Sequence, residues 1–378
     1  MPDRDFAQNP FIVIWETTRA CQLACRHCRA EAIRHRDPRE LRTDEAIGLI
    51  DQIAALDHPL FVLTGGDPME RGDLVDLVGH ARHQSLVVSI TPSATPKVTP
   101  ERMSALRDAG LAHWAYSIDG STAEVHDRFR GIRGCFDLTM EQIAQLKELG
   151  IPLQVNTTAS QFNLADLPRI AELVDQIEAV RWSVFFLIPT GRARLADLLS
   201  PQQHEDVLNW LVDLSIRAPF DIKTTEGPQY RRLQAERGGQ SGAWLSARRQ
   251  LGGVSRSVAP VWDGNGMVFV AHDGDVFPSG FLPLRLGNIR ERSLAEIYRE
   301  SPEMQVLRDP DRLLGKCGYC EFRRVCAGSR ARAYAVTGNF MESDPFCPYV
   351  PDPRRLENAE LQGSSRATTG DVIPTLPI

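Results

Sequence analysis

The stretch FIVIWETTRACQLACRHCRAEA (residues 11–32) joins an apolar run to three cysteines that lie within eight residues, Cys21, Cys25 and Cys28. The apolar run predicts a buried strand, and the first helical pattern begins only after the cysteines. The cysteines therefore lie on a loop at the carboxyl end of a strand, where α/β folds place their chemistry. Three thiolates are one short of the four that tetrahedral zinc or a fully ligated iron–sulfur cluster needs.

Up to about residue 225, short apolar runs alternate with amphipathic stretches. Buried strands are predicted for residues 11–15, 60–64, 86–91, 112–118, 153–158 and 182–188. The helical patterns between them include residues 44–56, 99–110 and 137–150. A strand followed by a helix, repeated about six times, favours a parallel sheet with crossover helices. Periodicity alone leaves open whether the sheet is an open doubly wound sheet or a full or partial barrel.

The pattern changes after residue 225. Residues 226–256 are rich in glycine and arginine and read as a linker or a substrate-facing insert. Residues 261–280 predict a β-hairpin or meander, with Asp-Gly turns at 263 and 273. From residue 351 the chain is rich in proline, serine and threonine without a period, which predicts disorder.

The composition excludes several classes of protein. The chain has 378 residues, of which 42% are hydrophobic and 24% charged, as is ordinary for a globular protein. A net charge of −6 argues against nucleic-acid binding. No apolar run approaches the roughly 18 residues of a membrane span, and no signal peptide is recognised. We therefore expect a cytoplasmic protein without a membrane partner, whose eight cysteines are ligands more often than disulfides.

A second cysteine set lies near the C-terminus and comprises Cys317, Cys320, Cys326 and Cys347. Four cysteines would suffice for zinc as well as for an iron–sulfur cluster, and spacing alone does not separate the two. At the first set, the alternative is a zinc site completed by His27 or by a distant residue. Cys135 matches neither set and is expected to be a small buried residue.

CxxxCxxC on the first strand–helix loop of a repeated β/α unit resembles the radical S-adenosylmethionine (SAM) superfamily. The resemblance implies a partial (β/α)6 TIM-like barrel. It implies that the three cysteines hold a [4Fe–4S] cluster whose open iron binds SAM. In that family one electron cleaves SAM to methionine and a 5′-deoxyadenosyl radical, which takes a hydrogen atom from the substrate. A reductant such as flavodoxin or ferredoxin is the implied electron source.

Two companion motifs strengthen the resemblance. TGGDP, after the second strand, resembles the GGEP motif that contacts the amino group of SAM, which implies roles for Gly65, Gly66 and Asp67. Asp67 replaces the usual glutamate and has a shorter reach. YSIDG, which ends the fourth strand, and HDRFRG imply that Ser117 and Arg130 contact SAM. An arginine fork suits a carboxylate.

The second cysteine set resembles the SPASM extension of radical SAM enzymes, which normally holds two auxiliary iron–sulfur clusters. This chain has Ser279 and Ser329 where the first auxiliary cluster has cysteines, and the upstream cysteine near PVWDG is absent. The resemblance therefore implies a single auxiliary [4Fe–4S] cluster, held by the four remaining cysteines. Full ligation indicates an electron-transfer or structural role.

The resemblance implies a division of the chain into five parts. These are an N-terminal extension (1–10), a radical SAM core (11–225), a linker or insert (226–256), a SPASM-like auxiliary cluster domain (257–350) and a tail that is expected to be disordered (351–378).

The resemblance is most specific to the SPASM branch of the alternative haem and haem d1 maturases. It implies a tetrapyrrole substrate whose carboxylate side chain is decarboxylated or otherwise modified. The arginines expected near the pocket are Arg192, Arg231, Arg232, Arg330 and Arg332, and such a set suits several carboxylates. One alternative is a maturase of a ribosomally synthesised peptide. A further alternative is a non-catalytic iron–sulfur or zinc-binding protein.

Overall fold

The computed structural model of the chain describes residues 4–238, 259–352 and 354. Much of the predicted linker and almost all of the predicted C-terminal tail lie outside these residues. The division of the chain into five parts stays a prediction.

Seven parallel strands form the main part of the sheet. They are β1 (Ile12–Glu16), β2 (Leu60–Thr64), β3 (Val87–Ile90), β4 (His113–Ser117), β5 (Leu153–Ala159), β6 (Arg181–Phe186) and β7 (Asp221–Thr225). The six strands predicted from the apolar runs are confirmed, and β7 is an additional strand. Each strand pairs in parallel with the next one along the chain. Since β7 ends the sheet on one side, the barrel is open, as expected for a partial (β/α)6 barrel.

Helices connect consecutive strands, which is what parallel pairing requires. They are α1 (Thr43–Ala54), α2 (Leu74–His83), α3 (Pro100–Asp108), α4 (Ala123–Arg130), α5 (Cys135–Glu148), α6 (Leu167–Gln176) and α7 (Pro201–Arg217). Local signals set their ends. The Thr99 hydroxyl accepts a hydrogen bond from the Arg102 amide at 3.4 Å, with Pro100 at the first helical position. Ser200 and Gln203 form a capping box at the start of α7.

The C-terminal part of the chain extends the same sheet. Its strands are β8 (Met267–Val270), β9 (Asp275–Phe277) and β10 (Gly287–Asn288), and its helices are α8 (Gln229–Glu236), α9 (Leu294–Glu300), α10 (Pro302–Leu307), α11 (Gly315–Tyr319) and α12 (Arg330–Thr337). β8 pairs in parallel with β1, on the side away from β2. β8 and β9 form the predicted antiparallel hairpin. The sheet therefore continues across the predicted boundary between core and auxiliary domain.

The core lies between the sheet and the helices. Trp15, Trp114 and Trp182 are fully buried on three different strands. The indole of Trp182 donates a hydrogen bond to the Thr157 hydroxyl at 2.9 Å, so its polar atom is satisfied inside the core. A smaller hydrophobic cluster that includes Ile188 joins β6 to the C-terminal part. None of the described helices is long and apolar enough to cross a membrane.

Pairing of β8 with β1 predicts that the core depends on the C-terminal part. A chain that ends at Gly238 keeps β1 to β7 but leaves one edge of β1 unpaired. The unpaired backbone groups along this edge can pair with another copy of the chain. We therefore expect this chain to aggregate, which size-exclusion chromatography detects. A chain that ends at Arg354 keeps every described element, and its melting temperature should match that of the full chain. A monomeric, cooperatively unfolding 1–238 chain would contradict the prediction.

Candidate active site

A cavity of about 300 Å³ opens at the carboxyl ends of the parallel strands. This volume is at the lower end of the range of small-molecule sites. The strand ends contribute Ser117 from β4, Asn156 from β5 and Phe185 from β6. Of the residues that the motifs predict for the site, the cavity brings together Cys21, Cys25, Cys28, Gly65, Gly66, Ser117 and Arg130.

The three cysteines of the first set lie on one loop, and backbone amides lie close to two of their sulfur atoms. The amide of Leu23 lies 3.3 Å from the Cys21 sulfur, and the amide of Ala32 lies 3.5 Å from the Cys28 sulfur. Burial raises the pKa of Cys21 to about 11 and also raises the pKa of Cys25. Such thiols ionise when a metal takes the place of the proton, and N–H donors then stabilise the thiolates. The donor set therefore fits an iron–sulfur cluster.

The loop after β2 is in close backbone contact with the cysteine loop at two glycines. A Cβ atom on Gly66 would lie 2.4 Å from the carbonyl oxygen of Ala20, and one on Gly65 would lie 2.5 Å from that of Thr18. The Gly66 amide donates to the Thr18 carbonyl, and the Asp67 amide donates to the Ala20 carbonyl, both at 2.7 Å. Any side chain at either glycine would push these backbones apart.

Glycines from two other loops contact the same cysteine loop. Gly131 follows α4 with a left-handed φ of 71°, and a Cβ atom there would lie 2.6 Å from the carbonyl oxygen of Ala24. Gly191 follows β6, and its Cβ atom would lie 2.5 Å from the carbonyl oxygen of Cys28. The cysteine loop is therefore held by the loops that follow β2, α4 and β6.

Asp67 supports the wall of the cavity from behind. It is fully buried and does not line the cavity. Its carboxylate accepts hydrogen bonds from the Met69 amide and the Thr95 hydroxyl, both at 3.0 Å, which ties the loop after β2 to the loop after β3. Burial raises the pKa of Asp67 to about 6. The short side chain thus positions Gly65 and Gly66, and a contact between Asp67 and SAM stays a prediction.

Arg130 is a fixed cation beside the cysteine loop. Its Nη2 lies 2.6 Å from Oδ2 of the buried Asp119, and its Nη1 lies 3.7 Å from the Cys25 sulfur. Burial disfavours the charge of Arg130, but Asp119 and Cys25 raise its pKa above the ordinary value, so the guanidinium stays charged. Asp119 also accepts a hydrogen bond from the Thr158 amide at 2.6 Å. The sequence analysis missed this partner, although Asp119 belongs to the motif YSIDG.

The five arginines proposed as carboxylate binders separate in the structure. Arg192 lines the cavity. The other four do not line the cavity, which corrects the expectation that they gather at the pocket. Arg332 pairs with Asp344 at 2.9 Å, and Arg330 donates to the carbonyls of Phe340 and Glu342. Arg232 pairs with Glu205 and Glu236, and Arg231 donates to the carbonyl of Val261. Their side chains are therefore bonded within the C-terminal part or, for Arg232, also to Glu205 of α7.

Cys135, the first residue of α5, is buried as predicted. It packs in a small cluster with Cys21 and Cys25 and lies on the cavity wall. Burial raises its pKa to about 11, so it is an uncharged thiol at neutral pH.

The second cysteine set lies at α11 and in the segments that follow. Cys326 is buried, and the other three are half-buried. Burial raises the pKa of the Cys326 thiol. Cys317 packs against the hydrophobic cluster that includes Ile188, which itself lines the cavity. Among residues 4–238, 259–352 and 354, no three His, Cys, Asp or Glu side chains converge closely enough for a single metal ion. Both ligand sets stay predictions.

Ser279 and Ser329, at the two positions where the resemblance implies cysteines in other SPASM proteins, are both hydrogen-bonded. The Ser329 hydroxyl bonds to the carboxyl group of Glu226, which lies on the cavity wall. The Ser279 hydroxyl accepts hydrogen bonds from the Phe281 and Leu282 amides at 3.2 and 3.3 Å. Oδ2 of the buried Asp263 accepts the Ala331 amide at 3.1 Å. Burial, together with Asp263, raises the pKa of Glu226 to about 8. The sequence analysis placed Asp263 only in a predicted turn and did not single out Glu226, so it missed this acidic pair.

Family models match two parts of the chain. A model described as the radical SAM superfamily matches residues 15–174. A model described as an iron–sulfur cluster-binding domain matches residues 262–321, which include Cys317 and Cys320.

Curated relatives match over most of their length. An AdoMet-dependent heme synthase from Methanosarcina barkeri is 39% identical over 90% of this chain and 97% of the relative. An Fe-coproporphyrin III synthase from the same organism is 29% identical over 89% of this chain and 87% of the relative. A PqqA peptide cyclase from Ruegeria pomeroyi is 30% identical over 95% of this chain and 93% of the relative.

Solved structures share the fold. Streptococcus suis SuiB bound to S-adenosylmethionine has a TM-score of 0.68 at 14% identity, over 90% of this chain and 78% of that chain. The protein anSMEcpe with bound AdoMet and the Cp18Cys peptide has a TM-score of 0.66 at 15% identity, over 94% of this chain and 97% of that chain.

The contacts of Gly66 predict a sharp difference between two glycine substitutions. Gly66→Ala forces the loop after β2 away from Ala20, so we expect a lower melting temperature and less iron bound at the first cysteine set. Gly72→Ala is the matched control, because a Cβ atom there meets nothing within 4 Å. Thermal unfolding and iron analysis of the two variants check this. Equal iron content in both variants would contradict it.

The two cysteine sets predict the iron content of the protein. Anaerobic reconstitution should yield two [4Fe–4S] clusters, or about eight irons per chain. Cys25→Ala and Cys326→Ala should each retain about half of that iron, and Cys135→Ser should retain all of it. Iron and sulfide analysis with electron paramagnetic resonance of the reduced protein checks the count. About twelve irons would contradict the loss of one auxiliary cluster, and about four, with one zinc, would assign the second set to zinc.

Proposed function

Since the chain belongs to the radical SAM superfamily, we propose that it removes a hydrogen atom from a carboxylate side chain of a tetrapyrrole and brings about oxidative decarboxylation of that side chain. The observation that carries the proposal is the meeting of the cysteine loop with Arg130 and Arg192 on one cavity. The heme synthase relative, at 39% identity over 97% of its length, supports the substrate class.

We propose that Cys21, Cys25 and Cys28 hold a [4Fe–4S] cluster. Such a cluster, once reduced, supplies the electron that cleaves SAM to methionine and a 5′-deoxyadenosyl radical. Arg130 places a positive charge 3.7 Å from the Cys25 sulfur, which stabilises a thiolate ligand. Gly65 and Gly66 lack side chains on the wall, so a ligand can approach the backbone there.

The apolar part of the wall suits a flat aromatic substrate. Phe185, Phe269 and Phe281 line the cavity, and the rings of Phe185 and Phe281 lie 6.4 Å apart. Arg29 stacks over Phe269 at 4.6 Å and pairs with Glu16 at 2.9 Å, so its charge is fixed at the cavity wall. Aromatic faces bind a macrocycle and exclude water, which protects a reactive radical from side reactions.

Oxidative decarboxylation leaves one electron that needs an acceptor, and this suggests a role for the second cysteine set. Conversion of a propionate to a vinyl group releases carbon dioxide, one hydrogen atom and one electron. The hydrogen atom goes to 5′-deoxyadenosine. We propose that a cluster held by Cys317, Cys320, Cys326 and Cys347 accepts the electron, because the cluster of side chains around Ile188 joins this set to the cavity. The physiological reductant that we propose is a flavodoxin or ferredoxin.

The second candidate function is modification of a ribosomally synthesised peptide. The 30% identity with a PqqA peptide cyclase over 95% of this chain favours it. The higher identity with heme synthases places the tetrapyrrole first.

An anaerobic assay separates the two candidates. The reconstituted protein is incubated with SAM, dithionite and either iron coproporphyrin III or candidate peptides. We expect 5′-deoxyadenosine and a porphyrin product that has lost one carboxyl group and one hydrogen atom, detected by mass spectrometry. Cys25→Ala should form neither product. Formation of a modified peptide with no change in the porphyrin would overturn the tetrapyrrole proposal.

A further inference from the structure

Arg192 on the cavity wall has a pair of hydrogen-bond donors that the described residues leave without partners. Arg192 lines the cavity, and its Nε and Nη2 are buried with no hydrogen-bond partner among the described residues. Buried guanidinium N–H groups without acceptors are costly, so native structures rarely keep them. Two other arginines of the wall have acidic partners: Arg29 pairs with Glu16, and Arg130 pairs with Asp119 through Nη2 while its Nε has no partner.

The two free donors form the edge of the guanidinium that binds a carboxylate with two parallel hydrogen bonds. The same chain uses this edge elsewhere. Arg71 donates from Nε and Nη2 to the carboxylate of Asp73 at 2.9 and 2.7 Å, and Arg39 donates in the same way to Asp37 at 3.1 and 2.7 Å. Arg192 keeps the same pair of atoms unfilled.

The backbone of Arg192 is fixed to the cysteine loop. Its amide donates to the carbonyl of Cys28 at 3.1 Å, and the neighbouring Gly191 packs against that same carbonyl. Because the ion pair with Asp119 compensates Arg130, the charge of Arg192 makes this end of the cavity attractive to an anion.

We propose that Arg192 is the carboxylate-binding residue of the cavity, and that its Nε and Nη2 bind a carboxylate of the tetrapyrrole and hold that side chain beside the cysteine loop. This inference rests on the proposed function. The carboxylate of SAM is a second source of the same chemistry, and the experiment has an arm for each.

The test measures binding rather than turnover. Anaerobically reconstituted wild type, Arg192→Gln and Arg192→Lys are compared with Arg194→Gln, which removes an exposed arginine from the same loop. The affinity for iron coproporphyrin III is measured by absorbance, and the affinity for SAM by equilibrium dialysis. Iron content and melting temperature verify that each variant is folded and loaded.

We expect Arg192→Gln to weaken porphyrin binding by about tenfold to a hundredfold, because a bidentate charged pair is lost. Arg192→Lys should recover only part of the affinity, since it keeps the charge and loses the fork. Arg194→Gln should bind like wild type. A loss confined to SAM would support the carboxylate role and assign it to SAM.

Unchanged affinity for both ligands in Arg192→Gln would overturn the inference. A change in the cluster spectrum at unchanged affinities would also overturn it, because the donors of Arg192 would then serve the cluster. If the wild type does not bind the porphyrin, the proposed substrate is wrong, and the SAM arm still tests Arg192.

Discussion

The active site depends on close backbone contact between the cysteine loop and the loops around it. The cysteine loop has no helix of its own, so its shape comes from neighbours. Carbonyl groups of the loop accept amides of Gly66, Asp67 and Arg192, and glycines supply the space for each approach. A parallel sheet makes this arrangement possible, because it brings the connections that follow β2, β4 and β6 to one end of the barrel, and Gly131 at the end of α4 lies in the second of them. The positions of the three sulfur atoms are therefore set by residues far along the chain.

Charge in the site is arranged in fixed pairs. Asp119 holds Arg130 against Cys25, and Glu16 holds Arg29 over Phe269. A buried pair of this kind loses much of its Coulomb energy to desolvation, so its contribution to stability is small. Its value lies in orientation, since a paired guanidinium keeps one position while ligands enter and leave. Arg192 differs because no acidic group of the described chain fixes it.

Local sequence predicted the strands and the motif residues at their ends, because apolar runs and short spacings are local properties. Local sequence did not predict that β8 pairs with β1. The periodicity of a segment indicates that it is a strand but does not identify a pairing partner that is distant in the chain. The expectation that four other arginines line the pocket was wrong for a similar reason. Charge alone does not distinguish a pocket residue from one such as Arg332, which pairs with Asp344. Asp67 shows the limit of a motif. Its position matches the family, but its short side chain turns to Met69 and Thr95.

Serine rather than cysteine at positions 279 and 329 bears on the electrostatics of the cavity wall, where the resemblance predicts that one auxiliary cluster is missing. A cluster ligated by thiolates carries negative charge, which opposes an anionic ligand nearby. In this chain the Ser329 hydroxyl bonds to Glu226, and the Ser279 hydroxyl accepts the amides of Phe281 and Leu282. Because the pKa of Glu226 is raised to about 8, its carboxyl group is mostly uncharged at neutral pH and the wall carries less negative charge. The uncharged form of Glu226 and the free donors of Arg192 thus act in the same direction, and both favour an anionic ligand in the cavity.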